Sequence, residues 1–411
     1  MMQSITELRI GLDFGLGIQS VGRLAIRNQI IYFEYADSFL QKGIEISPFR
    51  LPLQKGVMEL PQRPFEGLSG VFSDSLPDGW GRLLFDRLLR SRDIMLQNRS
   101  TLDRLAHVGL SGMGALVFEP DKSPSDGQKL IDLDHLASLT EDVLQGSSEE
   151  ILMELLALNG SSAGARPKAL IAVNHDRKQI TYGAQQLSEG LEPWLVKFSN
   201  SIDGHDAGAV EYVYALMAKE AGLITPEVHL FPSQKGAGYF AVKRFDRDGN
   251  KRLHMHTASG LLHSDFRMPS LDYEDLLNLT AALTKDIREV EKIYRLAVFN
   301  VLAHNRDDHA KNFSFLMDHI GEWKLAPGYD LTFSTGPNGE QSTMVMGEGR
   351  NPNISHLTKL GLGSKLSKKL INDIIDQTKS SLANFTALAQ HHNIANSNIK
   401  RIASAINDIA D

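Results

Sequence analysis

The sequence of 411 residues contains no cysteine. This absence excludes disulfide bonds, thiolate zinc sites, iron–sulfur clusters and a cysteine nucleophile. It also fits a reducing compartment, so we expect a cytoplasmic protein. Positive charge is not in excess, because 43 Lys and Arg against 50 Asp and Glu give a net charge of −7. A free-standing DNA-binding protein usually has a basic balance, so DNA contact would need a local patch or a basic partner.

Long apolar runs are missing as well. No stretch reaches the roughly 18 apolar residues that span a bilayer. Glu7 and Arg9 come before any long apolar run, so the start does not resemble a signal peptide. We therefore expect no membrane segment. The length predicts two or three domains at roughly 150 residues per domain.

The order of predicted elements is strand-rich, then mixed, then helical. Residues 8–35 are typical of β-strands, and 73–92 have leucines near helical spacing. After a polar linker at 121–129 we expect a helical stretch near 134–158, strands ending at 173 and at 194–200 and 238–247, and a helix at 211–222. Further helices are expected at 289–304, 364–391 and 396–410. This order predicts an α+β fold.

The segment from His304 to Leu316 concentrates chemically active side chains. Two acids, a His, a Lys and an Asn lie within 307–312, directly before an apolar run. A core helix would not pack them. Asp307 precedes Asn312 by five residues, and a D-x-x-x-x-N loop followed by a further Asp is the layout of a phosphotransferase. Asp307 is the predicted proton acceptor.

Asp330 is the further acid in this layout. It lies between apolar residues in PGYDLTF, eighteen residues after Asn312. A carboxylate in such surroundings has to be solvated, hydrogen-bonded or paired. Magnesium prefers oxygen ligands and also uses substrate phosphates as ligands. Asn312 and Asp330 are therefore the predicted magnesium ligands.

Phosphotransfer also needs a cation and a loop for the phosphates. Lys197 lies on an apolar strand in WLVKFSN, where an unpaired Lys is costly, and Glu211 in the following helix is its candidate partner. The small residues from Gly160 to Ala165 leave backbone N–H groups open to an anion. Their place some thirty residues before Lys197 predicts a phosphate-binding loop.

Three other patterns are interpreted as structural. Asp13-Phe14-Gly15 matches a kinase metal motif but precedes any lysine strand, and a hairpin turn explains 15–22 better than a nucleotide loop. A P-loop motif is absent from the sequence. His254, His256 and His263 lack acids at ligand spacing, so we expect them to be structural.

These segments together resemble the HipA family, the serine/threonine-kinase toxins of bacterial type II toxin–antitoxin modules. The resemblance extends over nearly the whole chain. It is carried by LPLQKG (51–56), VFSDSLPDGWGR (71–82), LDRLAHVGLSGMGALVF (102–118), SSAGARPKA (161–169), WLVKFSN (194–200), EYVYALMAKEAGL (211–223), AVKRFDR (241–247), NRDDHAKNFSF (305–315) and PGYDL (327–331).

The resemblance implies a two-lobed protein-kinase-like core. An N-terminal β-rich HipA-type domain would occupy residues 1–125. A kinase-like N-lobe with the glycine-rich loop, the phosphate lysine and the hinge would occupy 126–250. A mostly helical C-lobe with the catalytic loop and the metal-binding Asp would occupy 251–411.

The resemblance also implies ATP and Mg²⁺ as cofactors and a role for each site residue. Asp307 would be the catalytic base, and Asp308 is a rival that the spacing to Asn312 disfavours. Asn312 and Asp330 would hold magnesium. The nucleotide would be contacted by Ser161, Ser162, Ala163, Gly164, Ala165 and Lys168 of the loop region, by Lys197, by the backbone around Lys243 and Phe245, and by His309 and Tyr329.

Family members phosphorylate a serine of their own glycine-rich loop. Ser161 is the matching position here, with Ser162 as the adjacent alternative. About two added negative charges would repel the phosphates of ATP and could expel the loop.

The implied function is a kinase toxin that phosphorylates a protein of the translation apparatus, such as an aminoacyl-tRNA synthetase, and arrests growth. A HipB-like helix-turn-helix antitoxin would be its partner, and would supply most contacts to operator DNA. One alternative is a small-molecule phosphotransferase, which the N-terminal domain disfavours. Another is a catalytically silent co-repressor, which the complete set of expected catalytic residues disfavours.

Overall fold

The computed structural model describes residues 4–95, 99–124, 129–145, 149–159, 164, 166–182, 187–199 and 204–408. Within these residues no helix is both long enough and apolar enough to cross a membrane. All element bounds and contacts given below refer to this part of the chain.

The N-terminal region is built on a five-stranded antiparallel sheet. Its strands are β1 (Glu7–Asp13), β2 (Ile18–Arg27), β3 (Ile30–Tyr35), β4 (Val57–Glu59) and β5 (Leu116–Glu119), in the order β4-β3-β2-β1-β5. Its helices are α1 (Asp37–Leu40), α2 (Gly70–Ser73), α3 (Gly79–Ser91) and α4 (Thr101–Val108). The strands predicted at 8–35 are confirmed, and the helix predicted within 73–92 is α3, which begins at the glycine of the Pro-Asp-Gly turn.

The turn between β1 and β2 accounts for the glycines at its tip. Asp13 pairs with Ile18 at the end of this hairpin. Gly15 and Gly17 have φ values of +83° and +100°, which glycine adopts without steric cost. The Asp13 carboxylate accepts a hydrogen bond from the Gly15 amide at 2.8 Å. The hairpin prediction for 15–22 is confirmed, and the Asp-Phe-Gly triplet belongs to this turn.

A six-stranded antiparallel sheet follows in the middle of the chain. Its strands are β6 (Lys129–Leu130), β7 (Lys168–Asn174), β8 (Ile180–Tyr182), β9 (Leu191–Lys197), β10 (Val228–Phe231) and β11 (Tyr239–Lys243), in the order β10-β11-β9-β7-β8-β6. The associated helices are α5 (Leu133–Gln145), α6 (Glu149–Asn159) and α7 (Ala207–Glu220). The helical stretch predicted near 134–158 thus contains two helices, and α7 begins four residues before the predicted start.

The last part of the chain is mostly helical. Short strands β12 (Arg247–Asp248), β13 (Lys251–Arg252), β14 (His254–Thr257), β15 (Ser314–Met317) and β16 (Trp323–Leu325) accompany helices α8 (Ala258–Leu262), α9 (Tyr273–Thr284), α10 (Ile287–Leu302), α11 (Ile354–Gly363), α12 (Lys368–Leu382), α13 (Phe385–His391) and α14 (Asn396–Asn407). The continuous helix predicted at 364–391 is wrong, because two helices, α12 and α13, meet there at Ala383 and Asn384.

Buried apolar side chains form three clusters. One packs under the N-terminal sheet around Phe33 and Phe72. The largest surrounds Tyr294 and Phe299 of α10. The third joins Trp80 of α3 to β7, β9 and β11. The start of α3 therefore shares a core with the six-stranded sheet, although it belongs to the N-terminal region. The domain boundaries at 125/126 and 250/251 stay predictions.

Candidate active site

A cavity of about 610 Å³ opens between the six-stranded sheet and the helical lobe. Every described residue to which the sequence analysis assigns a site role lines this cavity. They are Gly164, Lys168, Lys197, Lys243, Phe245, Asp307, His309, Asn312, Tyr329 and Asp330. The segments that carry them are far apart in sequence, so the fold alone brings them together.

Lys197 is the centre of the ionic contacts in the cavity. It ends β9, and its ammonium group donates hydrogen bonds to Glu211 of α7 and to the Asp330 carboxylate. The predicted pairing with Glu211 is therefore present. Arg166 lies 3.7 Å from the other oxygen of Glu211. Lys168 faces Lys197 across the β7–β9 pair, so two cations meet at one end of the cavity.

Burial and neighbouring charge shift the pKa values of these groups. Burial and the nearby Lys197 lower the pKa of Lys168 to about 8. Burial opposes ionisation of Lys197 and of Asp330, but the attraction between the two opposite charges outweighs this effect. The attraction raises the pKa of Lys197 and lowers the pKa of Asp330. Both groups are thus charged at neutral pH, and the cavity holds an ionised carboxylate.

Asp307 and Asn312 belong to one short loop that precedes β15. The side-chain amide of Asn312 donates to the Asp307 carbonyl at 2.7 Å, which leaves its carbonyl oxygen as the atom suited to a cation. The Asp307 side chain is exposed to the cavity. The walls of the cavity partly remove the Asp307 carboxyl group from water, and this desolvation raises its pKa. The negative charge of Asp330 raises it further. A carboxylate of raised pKa is a better proton acceptor.

Asp308 has the opposite environment. Its side chain is buried and accepts hydrogen bonds from Tyr273 at 2.6 Å and Gln341 at 3.0 Å. The backbone amides of Ser342 and Thr343 donate at 3.0 and 3.2 Å. Burial raises the pKa of Asp308 to about 7 despite these donors. This carboxylate anchors the loop to the 341–343 segment.

The backbone around Asp330 is held by contacts of its neighbour. Asp330 has φ of +57°, a left-handed conformation that Asp tolerates better than most residues. The Tyr329 hydroxyl donates to the Lys311 carbonyl at 2.6 Å, and the Tyr329 ring lies 5.2 Å from that of Phe245. These contacts connect the Asp330 segment to the catalytic loop.

Lys243 ends β11 at the far side of the cavity. Its backbone amide donates to the Glu227 carbonyl at 2.9 Å, and its ammonium group donates to Glu192 at 2.5 Å. A contact with adenine at Lys243 would therefore use the Lys243 carbonyl oxygen or backbone groups between Lys243 and Phe245.

His309 has a polar ring atom that forms no hydrogen bond with the described part of the protein. Its Nδ1 is buried and has no hydrogen-bond partner among the described residues. Its ring lies 5.3 Å from that of Phe266. A buried polar atom without a partner is costly, so this atom suits a ligand in the cavity.

The glycine-rich loop is described at a single position. Ser161, Ser162, Ala163 and Ala165 lie outside the described residues. Gly164 has φ of +105°, a backbone conformation that residues with a side chain rarely adopt. A glycine is therefore favoured at this position beside Lys168.

Several lining residues were given no site role from the sequence. Asp74, Asp78 and Met113 come from the N-terminal region, and Phe266 and Lys311 from the helical lobe. Lys311 lies inside the 307–312 motif, where it was counted among the chemically active side chains but given no role. The N-terminal acids could not be given one, because no local pattern connects them with residues more than 80 positions away.

The three histidines set aside earlier each contact another part of the protein. Nε2 of His254 lies 2.9 Å from the Ile46 carbonyl. His256 lies between Ser47 and Asp74, at 3.0 and 2.6 Å. His263 accepts from the Gly70 amide at 3.1 Å. All three thus connect the helical lobe to the N-terminal region.

Comparison with known families gives the relationship directly. Residues 160–385, more than half of the chain, match the HipA-like C-terminal domain. The chain belongs to the HipA family. Residues 12–119 match the HipA N-terminal domain.

Two curated proteins are similar to this HipA-family chain. The serine/threonine-protein kinase toxin HipA of Shewanella oneidensis is 24% identical over 357 residues, which cover 79% of this chain and 76% of that protein. Y4mE of Sinorhizobium fredii, provisionally named a kinase, is 23% identical over 250 residues, or 54% of this chain and 56% of Y4mE. The chain thus spans little more than half the length of Y4mE.

A solved structure shares the fold. It is that of HipA with HipB and operator DNA from Shewanella oneidensis MR-1, with a TM-score of 0.69 and 18% identity over 97% of this chain and 95% of that chain. The predicted fold class is confirmed. The chain has a two-lobed kinase-like core, an N-terminal β-rich domain and a mostly helical C-terminal lobe.

Proposed function

We propose that the chain is an ATP- and magnesium-dependent serine/threonine kinase that acts as the toxin of a HipBA-like module. The observation that carries this proposal is the meeting of Lys197, Asp307, Asn312 and Asp330 in one cavity. These four side chains supply the cation, the proton acceptor and the oxygen ligands that phosphoryl transfer needs.

The donor set fits magnesium. Asn312 would contribute its carbonyl oxygen and Asp330 its ionised carboxylate. Within the described residues, no group of three His, Asp or Glu side chains could hold a metal ion. A site of two protein ligands suits magnesium, because this ion takes further oxygens from phosphates and water. When bound, it would neutralise charge that develops on the phosphates.

The remaining residues would bind and orient the reactants. Lys197 and Lys168 would face the phosphates from adjacent strands. The backbone between Lys243 and Phe245 would contact adenine. Asp307 would accept the proton of the acceptor hydroxyl. Positioning and charge neutralisation would supply most of the rate enhancement.

Self-phosphorylation would act on the glycine-rich loop. We infer that Ser161 is its target, with Ser162 as the adjacent alternative. Ser161→Ala should remove the main phosphate detected by mass spectrometry after incubation with ATP. Phosphate found on Ser162 alone in the wild type would correct the choice of serine.

The partners follow from the family and the acidic net charge. A HipB-like helix-turn-helix antitoxin would bind the chain and supply most DNA contacts. The cellular target would be a protein of the translation apparatus, such as an aminoacyl-tRNA synthetase, and its phosphorylation would arrest growth. The protein would act in the cytoplasm.

Asp307→Asn tests the proposal most directly. We expect the rate of autophosphorylation to fall roughly 10²–10⁴-fold, the range for loss of a general base, while the affinity for Mg–ATP is retained. The substitution does not change Asp78, the acid from the N-terminal region that also lines the cavity. Label from γ-labelled ATP should appear on protein in the wild type.

Other outcomes would identify the alternatives. Label on a soluble metabolite in a cell extract, with none on protein, would indicate a small-molecule phosphotransferase. A wild type that binds its antitoxin but transfers no phosphate would indicate a silent co-repressor. Asp330→Ala should weaken magnesium-dependent nucleotide binding while the fold survives. Unchanged binding in that variant would contradict the metal assignment.

A further inference from the structure

Asp78 belongs to the N-terminal region, yet its carboxylate lines the cavity. It occupies the N-cap position of α3 but makes no side-chain cap hydrogen bond. An N-cap Asp ordinarily accepts from an amide in the first turn of its own helix. Here both carboxylate oxygens are directed at other segments instead.

The first of these segments is the glycine-rich loop. Oδ1 of Asp78 accepts from the Gly164 amide at 2.5 Å. The Trp80 amide, two residues further on, donates to the Gly164 carbonyl at 3.0 Å. Both backbone groups of Gly164 are therefore bonded to the start of α3. Trp80 is itself packed into the core beneath the six-stranded sheet, so this attachment point is fixed.

The second segment is the catalytic loop. Oδ2 of Asp78 accepts from the ammonium group of Lys311 at 2.6 Å, and the two side chains are only 14% and 9% exposed. Burial would raise the pKa of Asp78, but Lys311 and the Gly164 amide outweigh it and lower it. Lys311 directly precedes Asn312, and its carbonyl accepts from Tyr329 at 2.6 Å.

We propose that Asp78 is a positioning residue that the N-terminal domain supplies to the kinase. One oxygen fixes the glycine-rich loop at Gly164, and the other fixes the catalytic loop at Lys311. The two loops must be aligned closely for phosphoryl transfer, because small misplacements of reacting groups cost large factors in rate. The proposal rests on the proposed kinase function and makes the N-terminal domain part of its active site.

Because the two oxygens of Asp78 hold different loops, we expect substitutions to affect Mg–ATP binding and the autophosphorylation rate differently. Asp78→Ala removes both contacts, so the Kd for Mg–ATP should rise at least about tenfold and the autophosphorylation rate at saturating ATP should fall. Asp78→Asn keeps an oxygen for the Gly164 amide but loses the charge on Lys311. It should restore most of the affinity and leave the rate low. Lys311→Met should resemble Asp78→Asn.

The experiment uses the full chain, with Mg–ATP binding measured by calorimetry and the rate measured by label transfer at saturating ATP. Asp86→Asn is the matched control, since Asp86 lies on the same helix in a 3.9 Å pair with Arg82 and does not line the cavity. It should behave as wild type. Hydrogen exchange at the Gly164 amide should be faster in Asp78→Ala than in Asp78→Asn.

Either of two results in Asp78→Ala would overturn the proposal. Unchanged affinity and rate in Asp78→Ala would show that the contacts do no positioning. Tighter Mg–ATP binding in that variant would show that Asp78 competes with phosphate for the Gly164 amide. If Asp78→Ala does not fold, Asp78→Asn and Lys311→Met provide the test. Wild-type autophosphorylation rates in both of these variants would also overturn the proposal.

Failure of the underlying function has a separate signature. A wild type that binds no Mg–ATP would refute the proposed kinase. Hydrogen exchange at Gly164 would still test the contact of Asp78 with the loop.

Discussion

Two clusters of buried charge differ in what surrounds them. The phosphate-side cluster contains Lys168, Lys197, Glu211 and Asp330 and lines the cavity. The interdomain cluster contains Arg244, Asp246, Arg247 and Arg252. Asp246 accepts from Arg244 at 2.7 Å and from Arg247 at 2.6 Å.

The interdomain cluster is closed by the backbone of the N-terminal region. Arg252 donates to the carbonyls of Leu110 and Gly114, both at 3.1 Å, and the Gly114 amide donates to Asp246 at 2.7 Å. Its charges thus have fixed partners, as buried charges require. The phosphate-side cluster has side-chain partners that border open space. We infer that the interdomain cluster joins domains, although its Arg244 also borders the cavity, and that the phosphate-side cluster exchanges partners with a ligand.

The largest effect should follow from Asp246→Ala. It leaves buried arginines without their carboxylate, which typically costs about 3–5 kcal/mol. The free energy of unfolding in urea should fall by that order, while the affinity of the folded protein for Mg–ATP should fall less than in Lys197→Met, because Arg244 is the one member of this cluster that lines the cavity. Asp248→Ala, an exposed neighbour, is the control and should be neutral. Lost nucleotide affinity with unchanged stability would contradict the distinction between the clusters.

Lys197→Met should act mainly on nucleotide affinity. The variant removes the cation that would contact the phosphates, and hydrogen bonds to charged groups are worth roughly 1.5–3 kcal/mol. The Kd for Mg–ATP should therefore rise roughly 10- to 100-fold, as measured by calorimetry. Lys178→Met changes an exposed lysine, with its side chain 84% accessible, and should not alter the Kd. Unchanged affinity in Lys197→Met would remove this cluster from the binding site.

A smaller effect should appear as a dependence on pH. The pKa of Lys168 is lowered to about 8, so its charge is present below this pH and is lost above it. Bound phosphates favour the charged form and raise this pKa. The affinity for Mg–ATP should therefore fall as pH rises from 7 to 9, by at most about tenfold per pH unit, with proton uptake on binding near pH 8–9.

Lys168→Arg is the matched variant for this prediction, because arginine stays charged throughout the range. Its affinity should be nearly constant between pH 7 and 9. A wild-type affinity that is equally constant would show that Lys168 does not contribute charge to nucleotide binding.

Sequence reasoning succeeded where the signal is local. The dominance of apolar and β-branched residues in β1–β3 and the leucine spacing of α3 predicted these elements. The five-residue spacing of Asp307 and Asn312 placed both on one loop that lines the cavity. It failed at the break between α12 and α13, where apolar residues continue at helical spacing through Ala383 and Asn384 and hide the end of the first helix.

The environments of two adjacent acids show where local reasoning ends. Asp307 and Asp308 are chemically identical, and the sequence offered spacing alone to choose between them. Tyr273, Gln341 and Thr343 bury Asp308, and all three lie more than 30 positions away. Nothing near Asp308 in the chain indicates this burial.

Composition, periodicity and motif spacing were sufficient for the strand-rich, mixed and helical order of the three regions and for the position of the catalytic loop, since each of these depends on neighbouring residues. The joining of Asp78 to Gly164 and Lys311 spans 86 and 233 positions. Such contacts exist because folding packs the N-terminal domain against both lobes. A carboxylate gains its partners, its charge state and its role from that packing.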